Sequence, residues 1–275
     1  MQILKSLKYS FKHKISRLSE DIAIKFLFKN SLYLSNRNLN FLLDSLWFNR
    51  LIRPKKKKIS LKKKILLVAP HPDDEVIGCG GTLLKFTKIK SDISIVYITL
   101  GSNDKKKNEL RKKEAHKVCT KMGWNYYFLN HNLNYKSWDN LEFTKIINKI
   151  KPDIIFTPSI FDDNIEHKNS NFFICESISK TSSEIWLYQV YSSHIANTLI
   201  DITEEIKMKQ KIIKIYNSQT KTRDWAHFSL GLNAWNSRFL GTKGKKAWVE
   251  AFLVVNSQFY KNYINEFRKN VKEFK

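Results

Sequence analysis

From Ile65 onward the chain alternates short runs of β-branched and aliphatic residues with longer amphipathic stretches, and few folds satisfy that rhythm. ILLVA (65–69) reads as a buried strand and 78–88 as a helix. ISIVYIT (93–99) gives a second strand and 108–122 a second helix. Residues 124–129 and 139–150 make the next strand–helix pair. DIIFTPS (153–159) is a fourth strand, with a helix over about 168–180, and IWLYQV (185–190) a fifth. Beyond about 201 the pattern is mainly helical, with a late strand in AWVEAFLVV (247–255). Strands separated by helices run parallel and need cover on both faces. The expected fold is therefore α/β, a Rossmann-like, doubly wound, mostly parallel sheet.

Residues 1–64 follow a different pattern. Leu4, Leu7, Phe11, Ile15, Leu18 and Ile22 recur at steps of three and four among basic residues, as on one helical face. Phe41, Leu42, Leu46 and Ile52 predict a second, less regular helix, and PKKKKISLKKK (54–64) reads as a linker. The expected organisation is a basic helical extension and linker over 1–64, then the α/β domain over 65–275. Of the net charge of +24, residues 1–64 carry 17 Lys and Arg against 3 Asp and Glu, a net +14. A lysine-, isoleucine- and asparagine-rich composition explains part of this excess without any partner. An anionic partner, such as a membrane surface or a phosphorylated substrate, is the other explanation. Nucleic acid is not expected, because basic residues are not interleaved with aromatics and no recognition module is present. Cys79, Cys119 and Cys175 are widely spaced and form no CxxC pair, which predicts free thiols in a reducing compartment. No run reaches the roughly 18–20 apolar residues of a membrane span, and the N-terminus lacks a secretory pattern. The expected location is the cytoplasm, with a peripheral position on the inner face of a membrane as the variant that the basic extension allows.

Chemistry concentrates where the first strand ends. Strand 65–69 runs into PHPDDEVIGCGG (70–81), which packs one histidine and three carboxylates within five residues of a buried strand end. Burying these is costly unless a cation sits among them. One His with one carboxylate leaves a catalytic metal shell incomplete, since such sites usually take three protein ligands. In a doubly wound sheet the first and fourth strands are neighbours at the switch point. The loop leaving the fourth strand, SIFDDNIEHKN (159–169), again holds a histidine within an acidic, polar cluster. The remaining histidines (His13, His116, His131, His194, His227) read as structural or solvated, and GCGG lacks the GxGxxG dinucleotide spacing.

PHPDDEVIGCGGTL (70–83) closely resembles the signature of the PIG-L/LmbE-like deacetylases, zinc enzymes that remove acetyl from N-acetylated sugar precursors. PDIIFTPSIFDDNIEH (152–167) resembles the second ligand segment of that family, and DIT (201–203), Lys209, Gln219 and RFLG…AWVEAF (238–252) its later blocks. The resemblance implies His71, Asp74 and His167 as zinc ligands and Asp73 as the general base that deprotonates the attacking water. Fe(II) suits the same two-histidine, one-carboxylate set. Where many members carry a second histidine, thought to assist the oxyanion, this chain has Asn164, which can donate a hydrogen bond but cannot act as an acid. Glu75 reads as structural, placed at a helix start where a carboxylate is favoured. Arg111 is the candidate substrate contact. The implied activity is hydrolysis of an N-acetylated amino sugar (glycan-, lipid- or nucleotide-linked), and the alternative is a catalytically silent sugar- or membrane-binding relative.

Overall fold

A computed structural model describes residues 54–134, 138–178 and 182–272. The two helices expected within 1–53 fall outside the described residues. Eight strands form one sheet: β1 Lys55–Lys56, β2 Lys64–Ala69, β3 Asp92–Thr99, β4 Asn125–His131, β5 Ile154–Pro158, β6 Glu184–Tyr188, β7 Thr198–Asp201 and β8 Val249–Asn256. Their spatial order is β1-β7-β8-β6-β5-β2-β3-β4. Strands β4, β3, β2, β5 and β6 are mutually parallel. β8 is antiparallel to both of its neighbours, β6 and β7. The helices are α1 Asp74–Lys88, α2 Lys105–Met122, α3 Leu141–Ile150, α4 Ile165–Ser177, α5 Ile206–Ile213, α6 Asn217–Thr220, α7 Trp225–Asn236 and α8 Ser257–Lys272.

Strand β2 shows why the sheet is two-sided. Ile65, Leu67 and Ala69 enter one core with Val76, Cys79 and Leu83 of α1 and with Ile212 and Ile213 of α5. Leu66 and Val68 enter the other with Phe143 and Ile147 of α3, Ile174 of α4 and Ile264 of α8. The five residues from Ile65 to Ala69 are fully buried, which is why the strand reads as a continuous apolar run rather than an alternation. The glycines of GCGG let α1 approach the sheet. A Cβ at Gly78 would lie 2.3 Å from the Tyr188 ring, and one at Gly81 would lie 2.6 Å from Ile202.

From β2 the chain moves outward through β3 to β4, then returns to β5 on the other flank of β2. That reversal puts the switch point beyond the carboxyl ends of β2 and β5, as the sequence predicts. Three details differ from expectation. The expected linker contributes Lys55–Lys56, which pair with Thr198–Leu199 at the sheet edge. Strand β7 is new; its four residues are too short to announce themselves, and pairing with β8 defines them. Helices α1 and α4 also begin earlier than predicted, at Asp74 and Ile165, so Asp74 and His167 lie in first helical turns rather than in loops.

Candidate metal centre

The β2–α1 loop is pinned before it reaches the site, because the Thr99 backbone amide and hydroxyl both donate to the Pro70 carbonyl, at 3.0 and 3.1 Å. Asp74 then folds back, its Oδ2 accepting the His71 amide at 2.9 Å. From the other loop, Asn164 caps α4. Its Oδ1 accepts the backbone amides of Glu166 and His167, and its backbone N–H donates to Asp162 Oδ1 at 3.0 Å. Asp162 Oδ2 accepts the Tyr191 amide at 3.1 Å, tying this loop to the one after β6.

Three side-chain atoms meet between the loops. Asp74 Oδ2 lies 3.2 Å from His71 Nδ1 and 3.2 Å from His167 Nε2, and the two imidazole nitrogens are 3.4 Å apart. Ligand atoms bound tetrahedrally to zinc at about 2.0–2.1 Å stand roughly 3.3–3.4 Å from each other. The triangle therefore has the edge lengths of one tetrahedral face, and these three residues can hold a metal ion. Each histidine also has a carboxylate on its other nitrogen. Glu166 Oε2 bonds His71 Nε2, and Asp162 Oδ1 lies 3.2 Å from His167 Nδ1. Such carboxylate–histidine pairs fix the tautomer so that the inward nitrogen presents a lone pair.

The electrostatics agree with the donor chemistry. All three residues are buried, and Asp162 and His167 are fully so. Burial alone pulls the imidazole of His71 down, but Asp74 and Glu166 outweigh it and raise its pKa to about 9. For His167 burial is likewise outweighed by Asp74 and Asp162, to about 10. Burial pushes the Asp74 carboxyl up, yet His167 and His71 hold it well below the carboxylate range. A pocket that binds protons this tightly on two buried imidazoles has an excess of negative charge for a cation to neutralise.

Asp73 sits beside the triangle at φ 116°, ψ −25°, a conformation that side chains other than glycine rarely adopt. Its carboxyl is raised well above the usual range by burial, then by the Asp74 and Glu75 carboxylates. Its amide donates to Glu75 Oε2 at 3.1 Å, and Glu75 Oε1 accepts from the Tyr216 hydroxyl. Glu75 is thus structural, as expected, but through these bonds; burial raises its carboxyl to about 7. Arg111 donates to the Leu100 carbonyl at 2.6 Å and to Gln219 Oε1 at 3.1 Å, so its fork braces the loop after β3. It borders the site: Gly101, at φ 67°, separates it from His71, and a Cβ there would lie 2.3 Å from Arg111 Nη1 and 3.1 Å from His71 Cδ2.

Asn164 is brought to the site as a helix cap, which commits its oxygen and leaves its amide group as the donor it can offer. Asp162 and Glu166 received no roles from the sequence beyond an acidic cluster. Their positions, five residues and one residue before His167, were the available signal. Tyr191, whose ring centroid is 5.2 Å from that of His167, gave no local signal. Of the other histidines, His116 bonds the Tyr126 hydroxyl at 2.6 Å, and His131 stacks on Trp138. The ring of His194 is pulled down to about 4 by burial.

A doubly wound sheet with a His–Asp–His cluster at its switch point defines an α/β protein built around a metal-type site. Residues 66–178, which hold the whole cluster, match the model of the PIG-L family, GlcNAc-PI de-N-acetylase. Diacetylchitobiose deacetylase of Thermococcus kodakarensis is 25% identical over 195 residues, 59% of this chain and 72% of that one. The structure of N,N'-diacetylchitobiose deacetylase from Pyrococcus horikoshii superposes with a TM-score of 0.62 at 25% identity, over 72% of this chain and 86% of that one. The 4-carboxy-2-hydroxymuconate hydratase of Pseudomonas putida shares the fold, with a TM-score of 0.62 at 16% identity, over 70% and 95% of the two chains.

Proposed function

We propose that this protein is a metal-dependent N-deacetylase that hydrolyses an N-acetylated amino sugar to acetate and a free amine. Because a hydratase shares the fold, the reading rests on the site rather than on the architecture. The observation that carries it is the triangle of His71 Nδ1, Asp74 Oδ2 and His167 Nε2 with the Asp73 carboxyl beside it. The diacetylchitobiose deacetylases among the relatives support an N-acetylated sugar as the substrate class, and within it we propose a glycan-, lipid- or nucleotide-linked form. Zinc is the metal we favour, and Fe(II) suits the same donors. A cytoplasmic setting fits the three cysteines, all free and buried.

When bound, the metal supplies Lewis-acid polarisation of the acetamide carbonyl and lowers the pKa of water. The remaining work falls to the chain. Asp73 takes the proton of the attacking water as the new C–O bond forms, and burial, by raising its affinity for protons, makes it the stronger base for that step. It passes the proton to the departing nitrogen as the C–N bond breaks, a step that Asn164 cannot perform. The amide group of Asn164 donates to the developing oxyanion, and Arg111 braces the rim against which the sugar lies. Asp162 and Glu166 hold the two imidazoles in their tautomers.

Purified protein should carry about one equivalent of divalent metal, and His71→Ala, Asp74→Ala and His167→Ala should each lose most of it. Elemental analysis of the four proteins decides this. Stoichiometric metal in all three variants would overturn the ligand assignment.

A further inference from the structure

Helix α7 is built with its chemistry inverted. The face turned to the protein carries Ala226, Ser229, Asn233 and Asn236, all buried. Ser229 donates to the Ile77 carbonyl at 2.8 Å, Asn233 Oδ1 accepts from Lys209 at 2.8 Å, and Asn236 donates to Gln189 at 2.8 Å. Those bonds fix the rotation of the helix, so its apolar side cannot turn inward. The adjoining flank carries Phe228, Leu232 and Trp235, spaced at four and three residues, with Trp225 at its head half-buried against the core, and Phe239 follows in the short 3-10 turn Ser237–Phe239. Trp235 is 62% exposed, Phe228 55% and Phe239 45%.

Two exposed arginines sit on these rings. The Arg238 guanidinium lies 4.4 Å from the Trp235 ring centre and 4.0 Å from that of Phe239, and Arg223 lies 5.7 Å from Trp225. From 221 to 246 the chain has six basic residues and one acidic residue, Asp224, whose side chain accepts the His227 amide as the cap of α7. A convex helix face of Trp, Phe and Leu flanked by cations and nearly free of acids complements a surface that is anionic outside and apolar beneath. Single-stranded nucleic acid also accepts aromatic and basic side chains, but it favours a groove that tracks its backbone, and this stripe lies along the outside of a helix.

We propose that the outward stripe of α7 docks this protein on an anionic phospholipid surface, with Trp235 and Phe239 entering the interface and Arg223 and Arg238 meeting headgroups. The stripe adjoins the metal centre. Trp225 packs edge-on against Tyr191 at 5.2 Å between ring centres, and Tyr191 in turn packs against His167. Docking would therefore set the mouth of the site at the membrane surface. This inference does not depend on the reaction catalysed.

The test is sedimentation of the full-length protein with vesicles of phosphatidylglycerol and phosphatidylcholine, and with phosphatidylcholine alone, at about 0.15 M salt, where exposed-charge attraction is largely screened beyond roughly 8 Å. Wild type should bind the anionic vesicles with a blue shift in tryptophan emission. Trp235→Ser combined with Phe239→Ser should lower partitioning about tenfold or more, since two large apolar side chains no longer enter the interface. Both residues are exposed, so circular dichroism and thermal midpoint should not change. Arg223→Gln combined with Arg238→Gln should weaken binding and flatten its salt dependence. Equal binding by wild type and the Trp235/Phe239 variant would overturn the proposal and assign the attraction to other basic parts of the chain. Absence of vesicle binding by wild type would overturn it too. So would finding that the stripe substitutions abolish self-association or oligonucleotide binding instead.

Discussion

At Asp73 the backbone and the carboxyl make opposite demands. The φ of 116° suits glycine, and burial next to Asp74 and Glu75 disfavours the charged side chain. Strain of this kind is worth about 1–3 kcal/mol and persists where the surroundings over-determine it. Here the Glu75 carboxylate holds the amide and Val76 and Ile77 hold the carbonyl. Two substitutions separate the demands. Asp73→Asn should keep the fold and the metal while lowering turnover on the order of 10²-fold or more, the scale of a lost general base. Asp73→Gly should lose turnover similarly but gain about 1 kcal/mol of stability in the metal-free protein, read from urea unfolding. If Asp73→Asn turns over at the wild-type rate, the base lies elsewhere. If Asp73→Gly is less stable than wild type, the strain is not stored there.

At helix α4 one residue carries an observed role and a proposed one: Asn164 caps the helix, and its side-chain amide is the proposed donor to the oxyanion. Removing the side chain would confound them, so the informative change is Asn164→Ser. Serine caps about as well as asparagine, while its hydroxyl is too short to reach the position of the amide group. Stability and metal content should therefore hold, and kcat should fall on the order of 10²-fold. An unchanged kcat would leave Asn164 as a cap alone. At this scale much was readable in advance. ILLVA and DIIFTPS are apolar enough to demand burial on both faces, so the parallel sheet and the meeting of their loops followed from topology. That both loops carry histidines and carboxylates was legible because such residues at buried strand ends need a reason to be there, whereas the choice of His71, Asp74 and His167 among them rested on the resemblance to the deacetylase signature. The starts of α1 and α4 were placed too late because Asp74 and Glu75, and then Ile165 and Glu166, interrupt no apolar pattern that would mark a first turn. Asp162 and Glu166 stayed without roles because only the folded geometry shows which nitrogen each one faces.

Across the whole molecule, a buried ion pair joins elements that are far apart in the chain. Lys209 of α5 donates to Glu250 of β8 at 2.7 Å, to the Ile77 carbonyl of α1 at 2.8 Å and to Asn233 of α7. Glu250 accepts the amides of Gly81 and Thr82 at 2.9 and 2.7 Å, so every group has a partner. No local pattern reveals such a pair, since AWVEAF reads as a strand and EEIKMKQK as an amphipathic helix. Lys209→Met should cost about 3–5 kcal/mol by leaving Glu250 buried and unpaired, and adding Glu250→Gln should recover part of it. Urea midpoints of the two variants check this, and equal stability of Lys209→Met and wild type would contradict it. No helix among the described residues is long and apolar enough to cross a membrane. The sheet brings its two loops together at one end, where the hydrolysis is proposed to occur. The decisive measurement is acetate release from free, nucleotide-linked and lipid-linked N-acetyl sugars by metal-loaded wild type, with Asp73→Asn alongside. The proposed deacetylation requires acetate in equal amount to new free amine from at least one class, lowered on the order of 10²-fold or more in the variant. No acetate from any class, or equal release by both proteins, would contradict it.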